Sequence, residues 1–597
     1  MADKTPVDRA RTTFRDRFRR LWGYLLRYRK AGLLGLLALT VSNAFDSAAP
    51  LFLRKAVDLI KAGAARPDLL KYAGLFVAIT FCGGVARYFV RQTLIRASRK
   101  VEYDLRSDFF GQLLRLGRSF YHRTPTGDLM SRATSDVESV RQLVGPGIMQ
   151  GANTLIVGAF ALSLMFYLDW RLTLYALSPL LIMSLVVNRL ATRVHDQYTI
   201  IQEHFALLQA HAQENFAGVR VVKAYTQEEA QSERFRELNE EFVAKNMLMV
   251  KLQALFFPVL ALLVGTSVVV VLYIGGKHII EGSLSLGSFV AFSIYLGILT
   301  WPTIALGWVV SLYQRGSVST DRLNKIMDSL PEIQNRPNAA APERVQGAIE
   351  IRGLNFRYGE NGPPVLEDIN LSIAAGQTVA VVGPTGSGKS TLVHLLSRLY
   401  TVPDGAIRID GTDVNDWPLA KLRRAIGFVP QEPFLFSDRL AANIAFGFES
   451  GAEVPEERIH EAARWAHLHD DVRGFPHGYD TILGERGITL SGGQKQRTSL
   501  ARALILDPPI LILDDAFSSV DTHTEEAILS ELRDVIKRRT TILISHRVST
   551  VKEADRIFVL DGGRITEAGD HNELLVTGGI YAEMYRRQLL EEELDLA

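Results

Sequence analysis

Long apolar stretches dominate the first half of the chain. Six of them approach the roughly 20 residues that an α-helix needs to cross a bilayer. They occupy residues 31–53, 70–94, 145–168, 172–190, 252–273 and 289–312. This pattern predicts six membrane-spanning helices.

The segments between these stretches alternate in length. The loops after the first, third and fifth stretches are short, whereas the segments after the second and fourth are about 50 residues or more and are polar with a helical pattern. Basic residues precede the first stretch. They are Arg15, Arg17, Arg19, Arg20, Arg27, Arg29 and Lys30. Because cytoplasmic flanks carry the excess of Lys and Arg, we expect a cytoplasmic N-terminus, outward short loops and two helical pairs reaching into the cytoplasm. The start has no cleavable signal pattern.

The pattern changes in the second half of the chain. Pro331, Pro337 and Pro342 mark residues 321–347 as a linker between a membrane domain, 1–320, and a second domain, 348–597. Beyond the linker, strand-like runs such as TVAVVG, PPILILDD and TTILIS alternate with helical runs such as STLVHLLSRL. This alternation predicts an α/β domain with a largely parallel sheet.

Composition agrees with a mixed architecture. The chain has 597 residues, too many for one core, with 47% hydrophobic and 22% charged residues. Its net charge is +2 and its basic residues form no long stripe, so nucleic acid is not an expected partner. The single cysteine, Cys82, excludes an intrachain disulfide and a cysteine-rich metal site.

Residues 383–390, GPTGSGKS, match the phosphate-binding pattern GxxxxGK[ST] between a strand and a helix. Glycines let backbone N–H groups face an anion, and the helix N-terminus adds positive potential. The motif predicts ATP and Mg²⁺ as cofactors. The expected nucleotide-binding residues here are Gly383, Pro384, Thr385, Gly386, Ser387, Gly388, Lys389, Ser390 and Thr391. Lys389 can reach the outer phosphates, while Ser390 and Asp514, at the end of an apolar strand, can lie in the Mg²⁺ shell.

Residues 490–494, LSGGQ, resemble the signature of the ATP-binding-cassette (ABC) family. The resemblance extends over nearly the whole chain and identifies further positions. Tyr358 matches the aromatic residue that stacks on adenine, Gln431 the glutamine near Mg²⁺ and the attacking water, and His546 the histidine at the γ-phosphate. Residues 518–521 match the D-loop and residues 484–487 an exporter-specific segment. Residues 124–132 and 218–225, with Glu228, look like the two coupling helices of type IV exporters.

The resemblance implies an ABC exporter half-transporter. Its fold would be a six-helix membrane domain followed by a P-loop domain with a helical subdomain. Ser491, Gly492, Gly493 and Gln494 would bind the nucleotide held by the opposite subunit. Its function would be ATP-driven export of hydrophobic or amphipathic compounds, such as drugs or lipids, across the cell membrane. A peptide exporter and an ATP-gated channel or regulator remain alternatives.

Asp515 departs from the family, which has a glutamate as catalytic base after the Walker B aspartate. An aspartate carboxylate sits roughly 1 Å or more further from the attacking water, and a misplacement of about 1 Å can cost on the order of 10²-fold. Either Asp515 works after a small backbone shift, together with Gln431 and His546, or this site is weakened. The second interpretation predicts a heterodimer with a sister half-transporter that supplies the glutamate, with a homodimer as the alternative.

Two charges and several aromatic residues fall inside the apolar stretches. Asp46 either attracts cationic amphiphiles, or the two charges form a structural pair or lie near the outer headgroups. We expect both to face the protein interior, because charges at membrane depth are costly. The last stretch carries Phe289, Phe292, Tyr295, Trp301 and Trp308. These side chains can line a substrate cavity or pack and mark interfaces. Membrane lipid and a small hydrophobic substrate are therefore expected partners.

Overall fold

A computed structural model describes residues 14–63, 65–359, 362–449, 451–484, 487, 490–520 and 522–596. The chain forms two compact units. The first contains the chain up to Leu114 together with Pro125–Ser329, and the second contains Arg115–Thr124 and the chain from Leu330 onward.

The first unit is helical. A short helix, Phe14–Arg27, precedes six long ones. The long helices are Arg29–Lys61, Arg66–Arg115, Thr126–Leu168, Trp170–Ala217, Glu228–Ile280 and Leu286–Met327. Of these, all but Trp170–Ala217 are long and apolar enough to cross a membrane, counted over the described residues. The fourth predicted span, 172–190, lies within Trp170–Ala217, several of whose side chains are outside the described part of the chain.

The last long helix packs its aromatic residues in two ways. Phe292 and Tyr295 are fully buried in a cluster with Met165 and Leu172. The Tyr295 hydroxyl donates a hydrogen bond to the carbonyl oxygen of Ser47 at 2.7 Å, which satisfies it in an apolar setting. Trp301 and Trp308, by contrast, are exposed on the single chain.

A polar layer joins the first three long helices. Arg87 forms an ion pair with Asp46, and the Ser42 hydroxyl donates to the carbonyl oxygen of Gly83 at 3.1 Å. The Asn43 amide donates to Oδ1 of Asn153 at 3.0 Å. Such pairing reduces the cost of polar groups at membrane depth and favours the structural interpretation of the two charges.

The last long helix continues further than the proline pattern suggested. It ends at Met327, so residues 321–327 of the predicted linker are helical. Leu323 and Ile326 are buried on the same face, and this apolar spacing extends the helix to Met327, four residues before Pro331.

The described residues of the second unit form ten strands in two sheets. In chain order they are β1 Ile349–Arg357, β2 Pro364–Ile373, β3 Thr378–Val382, β4 Ile407–Ile409, β5 Thr412–Asp413, β6 Ile426–Val429, β7 Ile510–Asp514, β8 Thr540–Ile544, β9 Arg556–Asp561 and β10 Arg564–Gly569. The larger sheet has the order β10-β9-β3-β8-β7-β6, and all its pairings are parallel except that of β10 with β9. The smaller sheet, β2-β1-β4-β5, is antiparallel.

Helices cover the larger sheet and form a subdomain beside it. They are Lys389–Leu396, Leu419–Arg424, Leu440–Ile444, Glu456–Trp465, His469–Arg473, Gly492–Leu504, Thr522–Ile536, Val548–Val551, His571–Thr577 and Ile580–Leu596. Strands β7 and β8 are buried along their whole length, as expected for parallel strands covered on both faces. The carboxyl ends of β3, β7 and β8 meet at one sheet edge, the place where α/β folds bind ligands.

Candidate active site

A cavity of about 300 Å³ opens at this edge of the larger sheet. Its lining contains most of the residues that the sequence predicts for ATP binding and hydrolysis. They are Tyr358, Thr385, Gly386, Gly388, Lys389, Ser390, Thr391, Gln431, Asp514, Asp515 and His546, with Val365 and Ile544. Residues separated by nearly 190 positions in the chain thus surround one space.

The loop between β3 and the helix Lys389–Leu396 requires glycine. Gly383 and Gly388 have φ angles of +147° and +103°, where L side chains are strained. A Cβ atom at Gly383 would lie 2.0 Å from the carbonyl oxygen of Leu560. The loop therefore keeps its curled path, from which backbone N–H groups can face an anion.

Lys389 folds back over this loop. Its Nζ donates hydrogen bonds to the carbonyl oxygens of Gly383 at 2.9 Å and Pro384 at 2.8 Å. Burial lowers the pKa of Lys389, while the nearby carboxylates of Asp514 and Asp515 oppose that effect. The ammonium is thus desolvated and close to the anion-binding loop, where a phosphate would interact with it strongly.

Ser390 and Asp514 form a pair of oxygen donors beside the loop. The Ser390 hydroxyl donates to Oδ1 of Asp514 at 3.0 Å, and Asp514 is almost completely buried. Burial raises the pKa of Asp514, and the hydrogen bond from Ser390 offsets only part of that rise. The described residues contain no cluster of three His, Cys, Asp or Glu side chains suited to a metal. A hydroxyl, a carboxylate and the Gln431 amide instead suit a hard cation that keeps waters and phosphate oxygens as further ligands.

Asp515 lies at the junction of β7 and the next loop. Its φ angle is +49°, a conformation that aspartate tolerates better than most residues. Its backbone N–H donates to the carbonyl oxygen of Ile544 at 2.8 Å, and its Oδ2 accepts a hydrogen bond from Nε2 of Gln431 at 3.4 Å. The carboxylate therefore faces the cavity beside Gln431, and His546 lines the same cavity two residues after β8.

Tyr358 forms the outer wall of the cavity. This residue is 42% exposed, and its hydroxyl lies 2.8 Å from that of Thr391. The rings of Phe356 and Tyr400 contact it edge-on at centroid distances of 5.0 and 5.1 Å. These contacts fix the ring while leaving a face open to a planar base.

A segment from the first cytoplasmic loop approaches this aromatic group, which the sequence did not predict. In the short helix Arg118–Arg123, His122 Nε2 lies 3.1 Å from the Tyr400 hydroxyl. Arg118 lies over the Tyr400 ring and contacts a ring nitrogen of His394 at 3.0 Å. The only sequence signal was the basic-aromatic run RSFYHR, which does not specify a partner.

The signature residues lie on a separate element and do not line the cavity of the same chain. Ser491 caps the helix Gly492–Leu504 in a reciprocal capping box with Gln494. Gln496 Nε2 donates to the Ser518 hydroxyl at 2.8 Å, and its Oε1 accepts from the Ser519 N–H at 2.9 Å. Within the matched motifs, Glu485, Arg486 and Asp521 lie outside the described residues.

Two family models match the chain. The ABC transporter transmembrane region matches residues 33–303, and the ABC transporter model matches residues 366–518.

Curated relatives match almost from end to end. The chain is 38% identical over 95% of its length to the probable multidrug resistance ABC transporter ATP-binding/permease protein YheI of Bacillus subtilis, covering 96% of that protein. It is 37% identical over 88% of its length to the multidrug resistance-like ATP-binding protein MdlA of Escherichia coli, covering 89% of it. It is 36% identical over 94% of its length to an ATP-dependent lipid A-core flippase of Syntrophus aciditrophicus, covering 92% of it.

A solved structure shares the fold. The structure of a bacterial Atm1-family ABC exporter with ATP bound superposes with a TM-score of 0.78 at 30% identity, covering 94% of this chain and 99% of that one. The predicted fold class, a helical membrane domain followed by a P-loop ATPase domain, is thereby confirmed. The chain belongs to the ABC exporters: it is a multi-pass protein of the cell membrane whose cytoplasmic domain binds and hydrolyses ATP to drive transport.

Proposed function

We propose that this chain is one subunit of a dimeric exporter of hydrophobic or amphipathic compounds, either drugs or lipids. The observation that carries the ATPase part is the convergence of Lys389, Ser390 and Asp514 on one cavity at the carboxyl edge of a parallel sheet. The substrate class follows from the apolar helices and from relatives named for multidrug resistance and lipid A-core transport.

Within the cavity, each side chain has a distinct task. Tyr358 stacks on adenine, the loop that contains Gly383 and Gly388 binds phosphate through its N–H groups, and Lys389 contacts the outer phosphates. Ser390, Asp514 and Gln431 hold Mg²⁺, which neutralises charge on the phosphate oxygens when bound. Asp515, Gln431 and His546 position the attacking water and the γ-phosphate.

The signature residues bind the nucleotide of the opposite subunit. Ser491 is exposed at the N-terminus of a 13-residue helix, where hydroxyl and N–H groups suit a phosphate. Because these residues do not line their own chain's cavity, they serve the nucleotide of the partner subunit. Two composite sites then form, each with a P-loop from one subunit and a signature from the other.

Asp515 is the residue from which we infer whether the partner subunit is a second copy of this chain or a sister half-transporter. Its carboxylate is one methylene shorter than that of a glutamate, and among the described residues its one side-chain hydrogen bond is the long one with Gln431, at 3.4 Å. We therefore propose a weakened site in this chain and a sister half-transporter as partner. The test is co-expression of two differently tagged copies of this chain. Capture through one tag should not recover the other tag in an active complex, and its recovery would establish a homodimer.

Transport itself requires a flux measurement. Inside-out membrane vesicles containing the exporter should accumulate a fluorescent amphipathic dye against its gradient when ATP is added. Vesicles supplied with ADP serve as the control. Dye that only equilibrates across the membrane after ATP addition would indicate an ATP-gated channel instead.

A further inference from the structure

The turn that carries His546 is held by contacts from separate elements. Strand β8 ends at Ile544, and Ser545, His546 and Arg547 lead into the short helix Val548–Val551. Among the described residues no hydrogen-bond partner holds the His546 imidazole. Its position in the cavity therefore depends on the backbone on either side of it.

The residues that follow His546 are held first by a buried carboxylate. Glu525, on the helix Thr522–Ile536, is 2% exposed and pairs with Arg547, and the Thr550 hydroxyl donates to it. Arg547 also donates to the carbonyl oxygen of Val520 at 3.1 Å, and its own N–H donates to the Ser545 hydroxyl at 3.0 Å. The buried carboxylate is thus satisfied by two groups that follow His546 in the chain.

A second contact to the same part of the chain comes from the C-terminal helix, Ile580–Leu596. Oε1 of Gln588 accepts a hydrogen bond from the backbone N–H of Val548 at 2.6 Å. Arg547, at the N-cap of the short helix, provides no side-chain cap. Because the first N–H groups of a helix lack intrahelical acceptors, Gln588 supplies one from a distance of 40 residues along the chain.

Apolar packing brings this helix to the turn independently of Gln588. Tyr581 is fully buried in the same core cluster as Val548 and Val551. Loss of the Gln588 amide would therefore loosen the turn without releasing the helix.

We propose that Gln588 is a positioning residue that holds His546 toward the γ-phosphate. The inference rests on the proposed function of His546 and extends it to the C-terminal helix. Since His546 would contact a group present in ATP and absent from ADP, its position should affect the preference of this chain's site for ATP over ADP. Contacts to the base and the inner phosphates should not change.

The test uses the assembled transporter and a photoreactive azido-ATP that labels this chain, with ATP and ADP as competitors. In Gln588→Leu, which keeps side-chain bulk but loses the acceptor, we expect ATP affinity to fall about 2- to 10-fold, the loss typical of one hydrogen bond, with ADP affinity unchanged. Gln588→Glu retains an acceptor and should restore ATP affinity. Arg586→Leu, an apolar substitution at an exposed position on the same helix, is the matched control.

His546→Ala separates this inference from the proposed function. It should lower the preference for ATP, and adding Gln588→Leu to it should have no further effect. If His546→Ala leaves the preference unchanged, the phosphate contact of His546 is wrong. If His546→Ala lowers it and Gln588→Leu does not, or if Gln588→Leu weakens ATP and ADP alike, Gln588 does not position His546.

Discussion

The hydroxyls of Tyr358 and Thr391 lie 2.8 Å apart, so that the aromatic ring at the mouth of the ATP site is joined to the helix that follows the P-loop. The ring is thereby held with one face available. Stacking of a base on such a ring contributes about 1–3 kcal/mol.

Tyr358→Ala should therefore weaken ATP binding at this chain's site by roughly 5- to 150-fold. Tyr358→Phe is the matched control, since it keeps the ring and should bind ATP nearly normally, while Thr391→Val removes the other hydroxyl of the pair. Labelled-ATP binding to the purified complex measures all three. Equal losses in the Ala and Phe variants would show that the hydroxyl, not the ring face, is what matters.

Lys389→Ala should weaken ATP binding about 10- to 150-fold at the same site, because it removes a charged hydrogen-bond donor from the phosphate loop. Lys421→Ala is a matched control: its ammonium donates to the carbonyl oxygen of Pro342 at 2.6 Å, away from the cavity. The same binding assay applies. Unchanged occupancy of both sites in Lys389→Ala would contradict the P-loop assignment.

Asp515→Ala should reduce ATPase activity less than Ser491→Arg does. This is the reverse of the order expected if Asp515 were a fully active catalytic base. If Asp515 is already a poor base, Asp515→Ala removes little steady-state ATPase activity. Ser491→Arg places bulk and charge beside the partner's γ-phosphate and should remove most of it. Ser491→Ala is the comparison variant, since it removes the hydroxyl and its helix cap, the latter at about 1 kcal/mol, without adding bulk or charge.

Steady-state ATPase assays on the purified complexes decide between the two site models. Asp515→Glu adds a further arm, since it lengthens the carboxylate and should raise turnover at this site. If Asp515→Ala abolished turnover while Ser491→Arg spared it, a homodimer that uses Asp515 as its base would be the better account.

His394 should make stability depend on pH. Burial, followed by the nearby charge of Arg118, lowers the pKa of His394 to about 4 from an ordinary value of 6.5. In the unfolded chain the His394 imidazole binds a proton near pH 6.5, whereas in the folded chain it stays neutral until the pH falls to about 4. Stability should fall as the pH drops through this window.

The measurement is thermal unfolding of the detergent-solubilised transporter at pH 7.5 and 5.5. His394→Gln keeps a hydrogen-bonding side chain next to Arg118 but cannot titrate. We expect its decrease in Tm between the two pH values to be smaller than that of the parent by about 1–3 °C. An identical decrease in both proteins would exclude His394 as a contributor.

The ion pair of Asp46 and Arg87 predicts a rescue between two substitutions. Asp46→Asn and Arg87→Gln each leave one unpaired charge among apolar helices, so each should lower Tm. The double variant has no unpaired charge and should be more stable than either single one. Thermal unfolding of the three variants tests this, and strictly additive losses would show that the two side chains do not stabilise each other.

Local patterns predicted much of this protein, because their physical causes are local. The strand, glycine loop and helix around Lys389 are specified by consecutive residues, as are the apolar helices. The predicted linker begins at residue 321, whereas the last membrane-domain helix continues to Met327. The buried, helically spaced Leu323 and Ile326 extend the helix beyond the point that the following prolines suggested.

Contacts between distant residues could not be predicted from the same patterns. Arg118 and His394 are 276 positions apart, and Gln588 and Val548 are 40 apart. Each contact joins side chains of ordinary type, with no motif spacing between them. Only the packing of strands and helices places them together.

The close approach of the signature helix to Ser519 affects how substitutions of its glycines should be interpreted. A Cβ atom at Gly492 would lie 3.2 Å from Cβ of Ser519, and one at Gly493 would lie 3.1 Å from its carbonyl oxygen. An alanine at either position would therefore displace the neighbouring D-loop as well as alter the surface offered to a phosphate. Loss of activity in such a variant would therefore combine two effects, one on the signature and one on the D-loop. A larger residue at position 493 would be tolerated best together with a compensating substitution near position 519. The sequences of the signature and the D-loop should therefore change together.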